Sequence, residues 1–239
     1  MINIIEINGL LKKYPNFTMD IPHICIPLGG VVGLIGENGA GKTTLISMLL
    51  NQVSRDGGSI TIFGKDNISS ESMIKEKVGF VVDECCFHPC LSPKDINIIM
   101  RSVYKEWDEA QFFTLLEKYS LRTKSEVSML SKGNKTRLMM AVALSYNPDL
   151  LILDEVTSGL DPVVRDEILT DLRNIVRNGD KTVLFSTHIT SDLDKIADYV
   201  AFIHGGRLVF FKENNELKRD GKELEDIMLS HIKGLEVMQ

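Results

Sequence analysis

Apolar positions along the chain follow two periods, and the switch between them divides it. Ile2 to Leu11 carries apolar side chains in partial alternation, and a second stretch from Ile21 to Leu28 is interrupted by Pro22 and Pro27. Both suit edge strands, beside the buried strand that follows them. That strand is the run Val31, Val32, Leu34, Ile35, and a helix-forming run takes over from Lys42. Asp56-Gly57-Gly58 signals a turn, Ser59 to Phe63 alternates as a short strand before Gly64, and Lys77 to Val82 reads as another buried strand. Asp83 to Leu91 is irregular.

Helical spacing then sets in. Ser92-Pro93 with Asp95 starts a helix whose Ile96, Ile99, Met100 and Val103 form one stripe. Asp108 caps a second, with Phe112, Leu115, Leu116 and Tyr119 on one face. A third begins near Ser131 and runs through Leu138, Met139, Val142 and Leu144 until Asn147-Pro148 stops it. Strand-like sequence returns at Leu150 to Leu153. Asp161-Pro162 opens a helix with Ile168, Leu169, Leu172, Ile175 and Val176 inward, closed by Asn178-Gly179. Thr182 to Phe185 is a strand, Ser191 to Ala197 a short helix, and Tyr199 to Ile203 joins Arg207 to Phe211 as a hairpin across Gly205-Gly206. Lys222 to Lys233 predicts an amphipathic helix with Leu224, Ile227, Met228 and His231 on one side. The alternation of strands and helices makes this an α/β chain. Its 239 residues read as one domain, with a core over 1–83 and 146–212, a helical subdomain over about 84–145 and a helical tail over 213–239.

Between the third strand and its helix, Gly36-Glu37-Asn38-Gly39-Ala40-Gly41-Lys42-Thr43 fits G-x-x-x-x-G-K-[ST]. Glycines let such a backbone curl until its amides face phosphate oxygens, and the helix adds the positive end of its dipole. Lys42 neutralises terminal phosphate charge and the Thr43 hydroxyl suits Mg²⁺, so residues Gly36 to Thr44 are candidate contacts for a nucleoside triphosphate. The loop alone does not separate ATP from GTP. Tyr14, at the end of the first strand, is a candidate to stack on a base.

Leu150-Leu151-Ile152-Leu153-Asp154-Glu155 is an apolar strand ending in two carboxylates. Phosphoryl transfer needs one carboxylate to hold Mg²⁺ and a group to orient the attacking water; Asp154 is the candidate for the first and Glu155 for the second. Ser131 and Gly133 at the start of the third helix present a hydroxyl and free amides to an anion, and a second anion-facing helix start suggests a site shared between two copies. His188, ending a strand in Ser186-Thr187-His188, is placed to reach a γ-phosphate.

Composition narrows the setting. With 44% apolar and 25% charged residues and a net charge of −6, the chain reads as an ordinary globular protein with no general affinity for nucleic acid or an anionic lipid surface. The N-terminus lacks the pattern of a secretory signal and no window approaches membrane-spanning length, so a membrane role is expected to come through a partner. Four cysteines suggest reduced thiols. Three of them stand with a histidine in Cys85-Cys86-Phe87-His88-Pro89-Cys90, a set able to ligate zinc but without the paired C-x-x-C spacing of structural sites; the alternative reading is a surface loop.

In order along the chain, GENGAGKTT, LSKGN, LLILDE, SGLDP (Ser158 to Pro162) and STH resemble the nucleotide-binding subunit of ATP-binding cassette transporters, over nearly the whole chain. The resemblance implies a P-loop NTPase (RecA-like) core with N-terminal antiparallel strands and a helical subdomain, binding ATP and Mg²⁺ and hydrolysing ATP to power a membrane exporter. It implies a head-to-tail homodimer, or a dimer with a paralogue, in which Lys42, Thr43, Asp154, Glu155 and His188 of one subunit face Ser131 and Gly133 of the other, with Asp161 at the interface and Tyr14 on adenine. It also implies a separate transmembrane permease, no nucleic-acid partner, and a cytoplasmic, peripheral place on the inner face of the membrane. Two departures stand out. Lys132 and Asn134 replace a glycine and the glutamine of the usual L-S-G-G-Q, and Asp83 stands where the family has a glutamine that touches Mg²⁺ and the water. Variants of this kind, and the Leu224 to Met228 tail, look like those of drug and lantibiotic exporters. The rival readings are a non-transport member acting on DNA or ribosomes and an unrelated P-loop kinase or GTPase.

Overall fold

Alternation along the central strands decides how they are buried. In the computed structural model, which describes residues 2–220 and 223–237, β3 (Gly30–Ile35) turns Val31 and Ile35 into one apolar cluster and Val32 and Leu34 into another. β7 (Leu150–Asp154) sends Leu151 and Leu153 one way and Leu150 and Ile152 the other, and β8 (Thr182–Thr187) sends Val183 and Phe185 against Leu184. Strands apolar on both faces need cover on both, which is the signature of a parallel sheet. With β6 (Val78–Val82) and β9 (Tyr199–His204) they form a parallel block ordered β9-β3-β8-β7-β6.

One face is covered by α4 (Glu109–Lys118), α5 (Lys132–Leu144), α6 (Pro162–Ile175) and α7 (Thr190–Ile196), whose apolar residues join Leu153 and Phe185 in a single cluster. The other receives α1 (Lys42–Leu49), α2 (Glu71–Lys75) and an antiparallel flank of β1 (Asn3–Tyr14), β2 (Phe17–Pro27) and β4 (Gly57–Ile62). With β5 (Lys65–Asp66) and β10 (Arg207–Glu213), the described residues form one sheet ordered β5-β4-β1-β2-β10-β9-β3-β8-β7-β6. The orphan carbonyls at the end of α1 are met by Asn67, which donates to Met48 O at 2.8 Å and Leu49 O at 3.1 Å.

The N-terminal strands are neither edge strands nor neighbours of β3. β1 lies between β4 and β2, and β2 between β1 and β10. They pair with each other from Ile5↔Ile26 to Tyr14↔Phe17, whereas β2 meets β10 only at Arg207↔Asp20. β2 therefore behaves as an edge over most of its length and tolerates Pro22 and Pro27.

Helix caps fall where the sequence places them. Ser92 accepts from Asp95 N at 3.3 Å, Asp108 from Gln111 N at 2.8 Å and Ser131 from Asn134 N at 3.3 Å. The stripe predicted for α3 (Pro93–Val103) is rotated, however. Ile96 is buried, but Ile99 is 40% and Val103 64% exposed, and the inward position is taken by Asn97, whose Oδ1 accepts from Trp107 Nε1 at 2.9 Å. With its carbonyl satisfied, the buried amide is tolerated at that position. The tail helix, α8 (Leu224–Val237), buries Leu224 and Ile227 and brings the His231 ring to 5.2 Å from Phe210. Its expected start, Lys222, lies outside the described residues.

α4 is tied to α6 by a polar contact in the core. The buried Tyr119 hydroxyl donates to Asp171 Oδ2 at 2.7 Å, while Lys118 Nζ lies 2.5 Å from Asp171 Oδ1. Burial, and then the carboxylate beside it, push the Tyr119 phenol up and keep it a donor. Tyr119→Phe strips one partner from a buried carboxylate, and the unfolding free energy from urea melts followed by circular dichroism should fall by about 1–3 kcal/mol. An unchanged midpoint would show that the bond does not hold the two helices.

Candidate active site

The loop between β3 and α1 is shaped by close backbone approaches. A Cβ at Gly36 would sit 2.2 Å from Ile203 O, and Gly41, at the helix start, has φ +109° with Met19 Cε only 2.6 Å from where its Cβ would be. Neither position admits a side chain without displacing its surroundings. Gly206 N donates to Ala40 O at 2.9 Å, so the β9–β10 turn props the loop from behind. Because Gly41 has no side chain, α1 begins without a side-chain cap, and its first amides remain available to an anion.

Lys42 is 5% exposed, unusually low for a lysine, and its ammonium is held by three oxygens: Gly36 O at 2.7 Å, Glu37 O at 3.1 Å and Glu155 Oε1 at 3.1 Å. Glu155 in turn meets His188 Nδ1 through Oε2 at 2.6 Å. Three sequence-predicted residues from β3–α1, β7 and β8 thus form one connected set. Adjacency of β3, β8 and β7 in the sheet brings them together, since all three parallel strands end at the same edge.

Two local features aim Glu155 at Lys42. Its φ of +54° is left-handed, a conformation that costs a non-glycine residue roughly 1–2 kcal/mol. Ser186, fully buried on β8, holds the turn: Glu155 N donates to Ser186 Oγ at 3.0 Å, and Ser186 Oγ lies 2.5 Å from Asp154 Oδ1. Asp154 itself is 8% exposed. Ser186 is a supporting residue that sequence reasoning left without a role; the signal for it was its place two residues before His188 on the neighbouring strand.

A cleft of about 500 Å³ opens over the loop, lined by Tyr14, Asn16, Phe17, Asn38, Gly39, Gly41, Lys42, Thr43, Thr44 and Glu155. Tyr14 therefore reaches the site, from the tip of the β1–β2 hairpin. So does Phe17, which the sequence did not single out; its ring lies 6.3 Å from that of Tyr14. A larger polar cleft, about 830 Å³, surrounds Arg173, Asp198 and Asn214 at the other end of β3, away from the loop.

The remaining candidates do not line the cleft. Ser131 is exposed and its hydroxyl accepts from Asn134 N. Gly133 is buried against α6, where a Cβ would lie 3.2 Å from Val164 Cγ1. Asp161 caps α6, accepting from Val163 N and Val164 N at 3.1 Å. Asp83 pairs with Lys132 Nζ at 2.6 Å, an ionic contact rather than an aligned hydrogen bond. The turn before α6 is anchored by Asp192, 1% exposed, which accepts from Thr157 Oγ1 at 2.8 Å and from Arg165 Nε at 2.6 Å. Nothing local in the sequence marked that pair.

The donors beside the loop suit a hard cation: a hydroxyl on Thr43 and a carboxylate on Asp154, both oxygen. The cysteine-rich loop does not make a metal cage. His88 Nδ1 meets Cys90 Sγ at 2.9 Å, but no group of three or more metal-ligating side chains converges among the described residues. None of the described helices is long and apolar enough to cross a membrane.

Comparison with known proteins identifies the family. Residues 20–158 match the family described as ABC transporter. The bacitracin transport ATP-binding protein BcrA of Bacillus licheniformis is 32% identical over 96% of this chain and 76% of its own. The lantibiotic transport ATP-binding protein SrtF of Streptococcus pyogenes is 34% identical over 95% of this chain and 97% of its own. A solved structure described as an ATP binding subunit of an ABC transporter superposes with a TM-score of 0.85, at 23% identity, over 96% of this chain and 99% of that one, which bears on the fold. A kinase or GTPase would leave these matches unexplained, and the relatives side with transport over action on DNA or ribosomes. With its phosphate loop, paired strand-end carboxylates and histidine in one connected set, the chain belongs to the ABC transporter family, as an ATP-binding subunit that hydrolyses ATP.

Proposed function

We propose that this chain powers export through a separate transmembrane permease, with two copies, or one copy and a paralogue, closing head to tail over ATP. The observation that carries the reading is the linked trio Lys42, Glu155 and His188 at the mouth of the cleft. Tyr14 and Phe17 stack on the base, the Gly36 to Thr44 backbone wraps the phosphates, and Lys42 exchanges Glu155 for phosphate oxygens. Thr43 and Asp154 would hold Mg²⁺, which would supply positive charge against the phosphates. Glu155, freed from Lys42 but still bonded to His188, orients the attacking water. Ser131, Gly133 and Asp161 lie outside the chain's own cleft and serve the nucleotide of the other subunit.

Residues 84–145 act as a subdomain that carries α5 toward and away from that nucleotide. The permease is expected to meet the apolar cleft of about 370 Å³ lined by Phe80, Phe87, Met100 and Tyr104, beside the exposed Ile98, Ile99 and Val103. Docking there would hold the chain on the inner face of the membrane. Relatives named for bacitracin and lantibiotic transport favour a peptide antibiotic as cargo.

Glu155→Gln should keep ATP affinity while turnover falls by about a hundredfold or more, and ATP with Mg²⁺ should shift it from monomer to dimer in size-exclusion chromatography with light scattering. Unchanged turnover, or a stalled variant that stays monomeric, would overturn the reading. Ser186→Ala removes the partner of both Asp154 and the Glu155 amide; turnover should fall by about tenfold while nucleotide affinity, measured by fluorescence titration, changes little. Equal activity would make Ser186 a spectator.

A further inference from the structure

The two places where this chain departs from the family pattern touch each other. Asp83 follows β6, one residue beyond Val82, which pairs with Asp154 in the β6–β7 register. Its carboxylate is thus one strand away from the carboxylates of the site, at the same sheet edge. Lys132 is the first residue of α5, next to Ser131. Its ammonium reaches Asp83 Oδ1 at 2.6 Å and lies 3.4 Å from where a Cβ on Gly159 would be, so it sits between the end of β6, the Ser158-Gly159 turn and the start of α5.

Packing gives no reason for the pair. The side chains are 44% and 39% exposed, and an ion pair so open to water contributes little to stability. An aspartate is one methylene shorter than glutamine, and an isolated carboxylate at a loop start has several rotamers to choose among. A lysine ammonium at contact distance selects one of them, at a modest entropic cost because its stem is already laid along the gap between three segments.

We propose that Lys132 is a positioning residue that acts through Asp83: it fixes the carboxylate at the edge of the site and links its orientation to the position of α5. The assignment rests on the proposed function and on the family resemblance, which puts Asp83 at the position of a glutamine that touches the metal and the water. Lys132 then does not contact phosphate itself, and a substitution there matters only while Asp83 carries a charge to be oriented.

A double-mutant cycle on the full chain tests this, with steady-state ATPase at saturating ATP and Mg²⁺ for Lys132→Met, Asp83→Asn and the pair. Each single change should lower kcat by about tenfold with KM for ATP moving less than about twofold, and the double variant should be no slower than the slower single one. Lys132→Arg, which keeps the charge and the reach, should retain about half of kcat or more. Thermal midpoints should stay close to that of the parent; where Lys132→Met lowers it, Lys132→Gln takes its place in the cycle. Losses that multiply in the double variant would show that Lys132 acts independently of Asp83, and a Lys132→Met variant with full kcat would leave it without a role; either overturns the assignment. Glu155→Gln run alongside separates the two claims: if it fails to stall turnover the reading of the site is lost, whereas if it stalls and the cycle multiplies, only Lys132 is reassigned.

Discussion

A nearly buried ammonium is the constraint around which this site is built. Lys42 is 5% exposed, and a charge so far from water must be met by oxygens in fixed places. Two come from carbonyls of its own loop, Gly36 and Glu37, and the third from Glu155 on a strand more than a hundred residues away in sequence. Satisfying that third bond explains several features at once: the left-handed φ of Glu155, the buried Ser186 that accepts its amide, and the insertion of β8 between β3 and β7 so that their ends converge. The local strain at Glu155, roughly 1–2 kcal/mol, is offset by hydrogen bonds of about the same worth each.

The sheet divides the labour. Its parallel block, covered on both faces, supplies a rigid edge where the loop, the carboxylates and the histidine stand at successive strand ends. The antiparallel flank contributes through a single hairpin tip, where Tyr14 and Phe17 form the aromatic wall of the cleft. Because Met19 and Phe17 also crowd Gly41, the flank fixes the loop's path as well as its cover. A strand pair that looked peripheral in sequence therefore bears directly on the shape of the loop and its cleft.

What was legible in the sequence was local. The glycine-rich loop, the caps at Ser92, Asp108, Ser131 and Asp161, and the apolar runs of β3, β7 and β8 are each decided by a few neighbouring residues, and each appears in the structure where the pattern puts it. The errors came from partners outside the segment being read. The inward turn of α3 depends on Trp107 satisfying Asn97, and the interior place of β1 and β2 depends on β4 and β10 arriving on either side. Tyr119 with Asp171, and Asp192 with Thr157 and Arg165, likewise carry no mark in their own segments. Asp83 and Lys132 were each visible as departures from a pattern; their contact was not.

The two anion-facing helix starts are not equivalent, and the difference follows from one residue in each. At α1 the position before the helix is Gly41, which offers no side chain, so the amides of the first turn keep their hydrogen-bonding capacity for a ligand. At α5 the same position is Ser131, whose hydroxyl already accepts from Asn134 N at 3.3 Å. One helix start is open and lies inside a cleft walled by aromatic rings and a lysine; the other is partly self-satisfied, exposed, and flanked by an ammonium engaged with Asp83. The first can grip a triphosphate on its own. The second is partly satisfied within its own chain, since an incoming anion must compete with an existing cap, and a helix start of that kind suits the proposed sharing of a site between two copies, where it adds to a grip the loop has already made.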